Sequence, residues 1–452
     1  MKNRINECDR QLKSWAAQIY KPIDNAIYDK YNVKKGLRYK DGTGVMAGLT
    51  SIGEVSGYYI EDGEKKPMPG HLRYRGYDVS DIVKACEREK RFGFEEVVYL
   101  LLMGKLPDKK VLEDFSAYLG HARTLPDGFT EDMILKAPSS NIMNKLARAV
   151  LASYSYDENP EDLSVDNIIT QSVKLIAQLP VMASYGYQAK RHYYDGLSLI
   201  LHSPQPELST AENFLYMIRP DNKFTPEEAE LLDTLLIVHA EHGGGNNSAF
   251  TAHVVSSTDT DTYSAISAAI GSLKGPKHGG ANAKVMGMME DIESHVADWA
   301  DREAVGAYIE KIIRKEAYDR SGLVYGMGHA VYTISDPRAE IIKKKATVLA
   351  DKNAEFKKEL GLYNLIEEIT PEIFARVKKS DKVMCANVDL YSGFVYKMLG
   401  IPPELYTPLF AIARIPGWCA HRLEEVHVNK KIIRPAYKSV SKPKEYMPIE
   451  ER

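Results

Sequence analysis

Apolar residues recur at helical spacing along most of this chain. In "TPEEAELLDTLLIVHAEH" (225–242), Leu231, Leu232, Leu235, Leu236 and Val238 form one apolar face, the pattern of a buried helix. Thr225, Pro226 and Glu228 mark its start: a capping hydroxyl, a proline at the first helical position and a carboxylate that can reach back. "STAENFLYMI" (209–218) opens with a similar box, Ser209 and Glu212. "FEEVVYLLLMGKLP" (94–107) reads as a helix with a proline stop. Two helical runs fill 259–300 on either side of a glycine-rich break. Residues 336–379 are helical and lysine-rich, with breaks expected near Gly361 and at Pro371. Two further runs in 389–428 are separated by Pro402 and Pro403. Only 37–78 differs: β-branched and aromatic residues between glycine turns predict short strands and loops. The tail, 429–452, holds Lys430, Lys431, Arg434, Lys438, Lys442 and Lys444 with three prolines and is expected to be extended. The pattern predicts a mainly α fold with minor β near the N-terminus.

Composition narrows the function classes. The chain has 452 residues, 44% of them apolar and 27% charged, which excludes a disordered or fibrous class. It carries 59 basic and 62 acidic side chains, for a net charge of -3. A general nucleic-acid binder would show a basic excess, so no nucleic-acid partner is expected. An anionic ligand must instead be held by local arginines. The cysteines, Cys8, Cys86, Cys385 and Cys419, form no CxxC, which argues for a reducing compartment and against a thiolate zinc site. The first residues include Glu7 and Asp9 and lack the apolar core of a signal peptide, and no apolar run reaches membrane-spanning length. The expected location is cytoplasmic, with no membrane partner.

Candidate chemistry gathers on glycine-rich loops. His239 and His242 share a helical face and precede "GGGNNS" (243–248). His242 and Asn246 there either bind something polar or belong to an ordinary glycine cap. In "GSLKGPKHGGANAKVMG" (271–287), His278 stands at or near a helix start. The helix dipole disfavours a charged imidazole there, so His278 is either a neutral hydrogen-bond donor or part of a structural turn. GxxxxGK[ST] is absent, which excludes a phosphate loop of that type. "GMGHAVYTISDPRAE" (326–340) mounts His329 on a tight loop and puts Arg338 in a first helical turn. A cation there calls for an anionic partner or for solvent. Asp389 heads an apolar helix, as an N-cap or as a base with a raised pKa. Arg414 lies inside an apolar run, where an anion is expected beside it. The set suits proton abstraction next to a carbonyl, followed by attack on a second carbonyl of a polyanionic substrate.

The ordered motifs "HLRYRGYDV", "FEEVVYLLLMGKLP", "LSTAENFLYMI", "HAEHGGGNNSAFTAHVVSSTDTDTYSAISAAIGSLKGPKHGGAN", "GMGHAVYTISDPR" and "NVDLYSGFVYKMLGIP" resemble citrate synthases over nearly the whole chain. The resemblance implies a two-domain helical fold, with a large domain at 1–279 and 394–452. A small domain at 280–393 closes over the active site. It implies a transferase of the tricarboxylic acid cycle that condenses acetyl-CoA with oxaloacetate and hydrolyses the citryl-CoA formed. Acetyl-CoA is a substrate, and neither cofactor nor metal is implied. Carried over by motif, Asp389 is the base, His278 donates to the thioester oxygen, and His329 polarises the oxaloacetate carbonyl. His242, Arg338 and Arg414 match positions that hold the oxaloacetate carboxylates. Arg434, in "IIRPAY", matches an arginine contributed to the partner subunit's site, so a homodimer or an assembly of dimers is implied. Many bacterial members have Arg and a second basic residue where this chain has Ala330 and Thr333, and no lysine is assigned to the CoA phosphates.

Two other functions compete. A 2-methylcitrate synthase performs the same chemistry on propionyl-CoA. One extra methyl group is worth only about 1–3 kcal/mol of discrimination. A metallohydrolase could use His239, His242 and His253 as ligands, although HExxH is absent.

Overall fold

The computed structural model describes residues 2–380 and 383–451, as two units. The terminal unit comprises 1–47 and 434–452. It contains the helices Lys2–Ile19 and Asn25–Lys30, the second capped by Asp24, and a turn at Ile449–Glu451. Between 434 and 448 the tail forms neither helix nor strand, and the Lys438 ammonium lies 5.7 Å from the Tyr31 ring.

The main body, 48–433, is a set of helices around one apolar core. In helix Pro226–His239 the five expected core residues are each at most 4% exposed. Both capping boxes form, at Ser209 with Glu212 and at Thr225 with Glu228. Helix Tyr406–Glu424 packs against Pro226–His239 and against the long helix Val165–Asp195. A side chain at Gly417 would strike the Ala240 carbonyl, so glycine permits this close approach.

Two helix boundaries differ from the sequence expectation. Helix Phe94–Met103 ends at Gly104, which takes the left-handed conformation (φ 75°) ahead of Pro107. The stretch 336–379 breaks at 351–353, between helices Pro337–Ala350 and Ala354–Lys378. The second helix runs through both Gly361 and Pro371. Asn353 caps it by accepting from the Glu355 and Phe356 N–H groups, and Leu360, Tyr363, Ile366 and Ile373 are buried. That packing outweighs interior penalties of about 1 kcal/mol for glycine and about 3 for proline.

Among the described residues, the strands of the expected β region lie within 53–78. Gly53–Glu61, Glu64–Tyr74 and Tyr77–Asp78 form an antiparallel sheet in that order. Gly57 sits at a register shift in the first strand. A Cβ there would lie 2.7 Å from the Tyr332 Cα, and a Cβ at Gly70 would strike the Ser335 carbonyl. The Thr333 hydroxyl donates to the Gly57 carbonyl, and the Gly70 N–H to the Ser335 Oγ at 3.3 Å. The sheet thus buttresses the loop that carries His329.

Candidate active site

His242 follows helix Pro226–His239 by three residues. Its ring centroid lies 5.2 Å from that of His329 and 5.5 Å from that of Tyr332. Its Nε2 is buried with no hydrogen-bond partner among the described residues. Burial, then the charge of Arg338, holds its pKa well below the usual histidine value. Asn246 is a builder of the loop. Its Oδ1 caps helix Asn247–Ser256 by accepting from the Ala249 N–H, and its amide donates to the Gly243 carbonyl at 2.5 Å.

His278 sits two residues before Gly280, the N-cap of helix Ala281–His295. The turn is closed by the His278 N–H to the Gly275 carbonyl and the Gly279 N–H to the Leu273 carbonyl, both at 2.9 Å. The Ser248 N–H donates to the His278 Nε2 at 3.3 Å, and the Ser248 hydroxyl lies 2.8 Å from the same nitrogen. A backbone N–H can only donate, so Nε2 carries the lone pair and the proton resides on Nδ1. Trp418 fixes Ser248 in turn, donating to its Oγ at 3.1 Å. Burial, then the charge of Arg414, lowers the pKa of His278 to about 4. The ring is neutral, as the sequence suggested. The physical cause is burial and a neighbouring cation.

His329 and Asp389 are brought together by a backbone splice. Met327 bridges Ala386, the Gly328 N–H donates to the Cys385 carbonyl at 2.7 Å, and the Asn387 N–H donates to the Gly326 carbonyl at 2.8 Å. Gly326 has φ 83°, and a Cβ there would press on the Leu390 Cα at 2.9 Å. The absence of a side chain at Gly326 therefore lets this stretch lie against the start of helix Val388–Met398. The His329 Nδ1 accepts from the Val331 and Tyr332 N–H groups at 3.0 and 3.1 Å, which leaves the ring proton on Nε2.

The N-cap of helix Val388–Met398 is Asn387, which accepts from the Asp389 N–H at 3.0 Å. Asp389 itself lies in the first turn. Burial raises its pKa to about 6, with Arg338 and Arg414 pulling down and Asp336 pushing up. Between the two sequence alternatives, the structure favours a carboxylate with base character.

Arg338 is buried and forms a fork with Asp336: Nε to Oδ1 at 3.0 Å and Nη2 to Oδ2 at 2.7 Å. Burial lowers its pKa, but the charge of Asp336 outweighs it and leaves the guanidinium more basic than usual. The anion expected beside Arg338 is thus supplied by the chain. Asp336 also caps helix Pro337–Ala350 and accepts from the Val388 N–H at 3.2 Å, so one carboxylate ties Arg338 to the helix of Asp389. Arg414 is 1% exposed; its Nε donates to the His239 carbonyl at 2.6 Å, and its Nη2 has no hydrogen-bond partner among the described residues. Burial lowers its pKa to about 10, with Glu241 opposing. Its guanidinium carbon lies 4.8 Å from the Phe410 ring, which also faces His278 at 6.2 Å.

Six of the seven sequence candidates, His242, His278, His329, Arg338, Asp389 and Arg414, interact through rings or charges in this one region. Arg434 is exposed on the terminal unit. The imagined metal trio is not brought together. The His239 Nδ1 bonds the Leu235 carbonyl at 2.8 Å, and His253 bonds Glu425 and His421. Sequence reasoning missed Ser248, Trp418, Tyr332 and the second role of Asp336. Ser248 was the legible one, as the last residue of "GGGNNS".

Comparisons with known proteins show the family. The family model described as "Citrate synthase, C-terminal domain" matches residues 39–436. A citrate synthase of Haloferax volcanii is 37% identical over 391 residues, 85% of this chain and 93% of that protein. The 2-methylcitrate synthase 1 of Corynebacterium glutamicum is 34% identical, covering 93% of this chain and 98% of its own. Among solved structures, citrate synthase from Pyrobaculum aerophilum aligns with a TM-score of 0.72 at 31% identity, covering 90% of this chain and 94% of that one. Citrate synthase from Thermoplasma acidophilum, in a ternary complex with carboxymethyl coenzyme A and oxaloacetate, aligns with a TM-score of 0.75 at 27% identity, covering 93% of this chain and 99% of that one. The chain belongs to the citrate synthase family and is an enzyme of the transferase class.

Proposed function

We propose that this family member condenses acetyl-CoA with oxaloacetate to citryl-CoA and hydrolyses it to citrate and CoA. One observation carries the reading. A half-buried carboxylate lifted to about 6, Asp389, shares a site with two histidines whose lone pairs are pinned, so that each offers an N–H. Asp389 takes a methyl proton from the thioester. Its raised pKa improves it as a base while leaving it ionised at neutral pH. His278 donates from Nδ1 to the thioester oxygen and stabilises the enol without giving up its proton, as a preorganised neutral donor does. His329 donates from Nε2 to the ketone of oxaloacetate as the enol carbon attacks. His242, Arg338 and Arg414 hold the carboxylates, and the unpartnered His242 Nε2 and Arg414 Nη2 are suited to them.

The reading extends to a homodimer in which Arg434 reaches the partner subunit's site, and to a small domain, 280–393, that closes after oxaloacetate binds. Acetyl-CoA enters as a substrate, and the chemistry invokes no metal or further cofactor. The proposed location is the cytoplasm; no described helix is long and apolar enough to cross a membrane. A second reading, 2-methylcitrate synthase, is favoured by relatives of that name at 34% and 33% identity. Thiol release with oxaloacetate, measured with acetyl-CoA and with propionyl-CoA, separates the two. Faster turnover of propionyl-CoA would replace the first reading by the second, and no release from either thioester would sink both. Equal rates with and without a chelator are expected.

A further inference from the structure

Behind the substrate loop lies a buried chain of four titratable groups that the proposed reaction does not use. The Glu425 Oε2 lies 2.7 Å from the His253 Nδ1, the His253 Nε2 lies 3.1 Å from the His421 Nδ1, and the His421 Nε2 lies 3.0 Å from the Glu241 Oε1. All four residues are at most 7% exposed. Each of these three hydrogen bonds needs one proton. Two ionised carboxylates bring none, and two neutral imidazoles bring one each. The chain closes only with a third proton. If both rings point N–H at their carboxylates, the facing nitrogens are two lone pairs 3.1 Å apart.

A metal ion is the other cation that could join those lone pairs, and Glu424 offers a third ligand atom nearby. The distances argue against it. The Glu424 Oε2 is 3.9 Å from the His421 Nδ1, whereas tetrahedral zinc bonds of about 2.0–2.1 Å keep ligand atoms about 3.3 Å apart. Glu424 is also tethered elsewhere, its Oε1 accepting from the Ser51 N–H at 2.7 Å and the Ser51 hydroxyl at 2.9 Å.

We propose that His253 and His421 are positioning residues that share one added proton, and that this fixed positive charge holds Glu241 and thereby the loop that presents His242 to oxaloacetate. Glu241 directly precedes His242 in sequence, and, against burial, the charge of His421 with the nearby His242 backbone N–H helps to hold its pKa below the usual carboxylate value. Its charge faces Arg414 as well. The added proton therefore offsets Glu241 at one end and Glu425 at the other. Burial, then the charge of His421, pushes the pKa of His253 down. Glu424 faces the pair too, and Arg75, Arg414 and Tyr74 are the charged or titratable groups beyond Glu241 and Glu424. The role assigned to His242 rests on the proposed function; the proton count does not.

The test uses the full-length enzyme labelled with 15N at histidine. Nuclear magnetic resonance at neutral pH should show three ring N–H protons on the pair, assigned by their change in His421→Gln. Two N–H protons would overturn the shared proton, and stoichiometric bound zinc in the same sample would identify a metal centre instead. The glutamine amide nitrogen can donate to Glu241, so this variant keeps that hydrogen bond while removing the charge. It should raise KM for oxaloacetate about 10-fold while kcat changes far less. An unchanged KM, or a fall in kcat alone, would overturn the positioning role. If the wild-type enzyme released thiol from neither thioester, the functional reading would fall while the proton count could still stand.

Discussion

The rings at 278 and 329 and the rings at 253 and 421 belong to one residue type in one protein, yet they are set up for opposite tasks. His278 and His329 each have one nitrogen pinned by backbone N–H donors, from Ser248 and from Val331 and Tyr332. The remaining nitrogen must carry the proton, so each ring is a neutral donor toward the substrate side. His253 and His421 instead have their outer nitrogens against carboxylates. Those carboxylates claim both ring protons, and the contact between the rings demands one more. The difference teaches that the place of each ring proton follows the partners of the ring nitrogens.

The largest expected effect removes the proposed base, Asp389. Asp389→Asn should lower kcat by about 10²–10⁴-fold while oxaloacetate still binds, measured by thiol release and by titration of oxaloacetate. A fully active variant would reject Asp389. In the wild-type enzyme the rate should fall as pH drops through about 6, where Asp389 takes up a proton. His278, at about 4, titrates below that limb and should not shape it. A pH profile flat from 5 to 8 would contradict this assignment.

Stability should move the other way. The pKa of Asp389 rises from 3.8 to about 6 on folding, so the folded state favours the protonated form. The associated stability is present below pH 3.8 and is lost as pH rises through about 6. Asp389→Asn mimics the protonated form and should stabilise the protein by up to about 3 kcal/mol at pH 8, with little gain at pH 3. Denaturant melts at the two pH values measure it. Equal shifts at both would show that the carboxylate is not strained by burial.

Ser248→Ala tests the pinned lone pair at its weakest link. The backbone N–H of residue 248 still selects the tautomer, while the hydroxyl's contacts with the His278 Nε2, the Trp418 indole and the Asn246 Oδ1 are lost. A fall in kcat of about 2–10-fold is expected, with KM for oxaloacetate unchanged. A loss as large as that of Asp389→Asn would mean that Ser248 takes part in the chemistry itself.

Much of the fold was legible because helix signals are local. Both capping boxes and the buried face of Pro226–His239 follow from neighbours within one or two turns. The misplaced breaks at Gly361 and Pro371 show where that stops. Leu360, Tyr363, Ile366 and Ile373 pack against residues distant in sequence, and that burial carries the helix through weak positions. In the site, glycine loops and lone charges pointed to His242, His278, His329, Asp389 and the arginines. Their roles as a set came from the family resemblance.

The chain by itself therefore determined which elements form and which residues have chemistry to offer, since periodicity, caps and side-chain type are properties of short stretches. Tertiary structure decided the protonation states. Ser248 meets His278 from 30 residues away, Asp336 meets the Val388 N–H from 52, and Glu241 meets His421 from 180. A pKa or a tautomer depends on groups within a few ångströms, and folding chooses those neighbours without regard to their separation in the sequence.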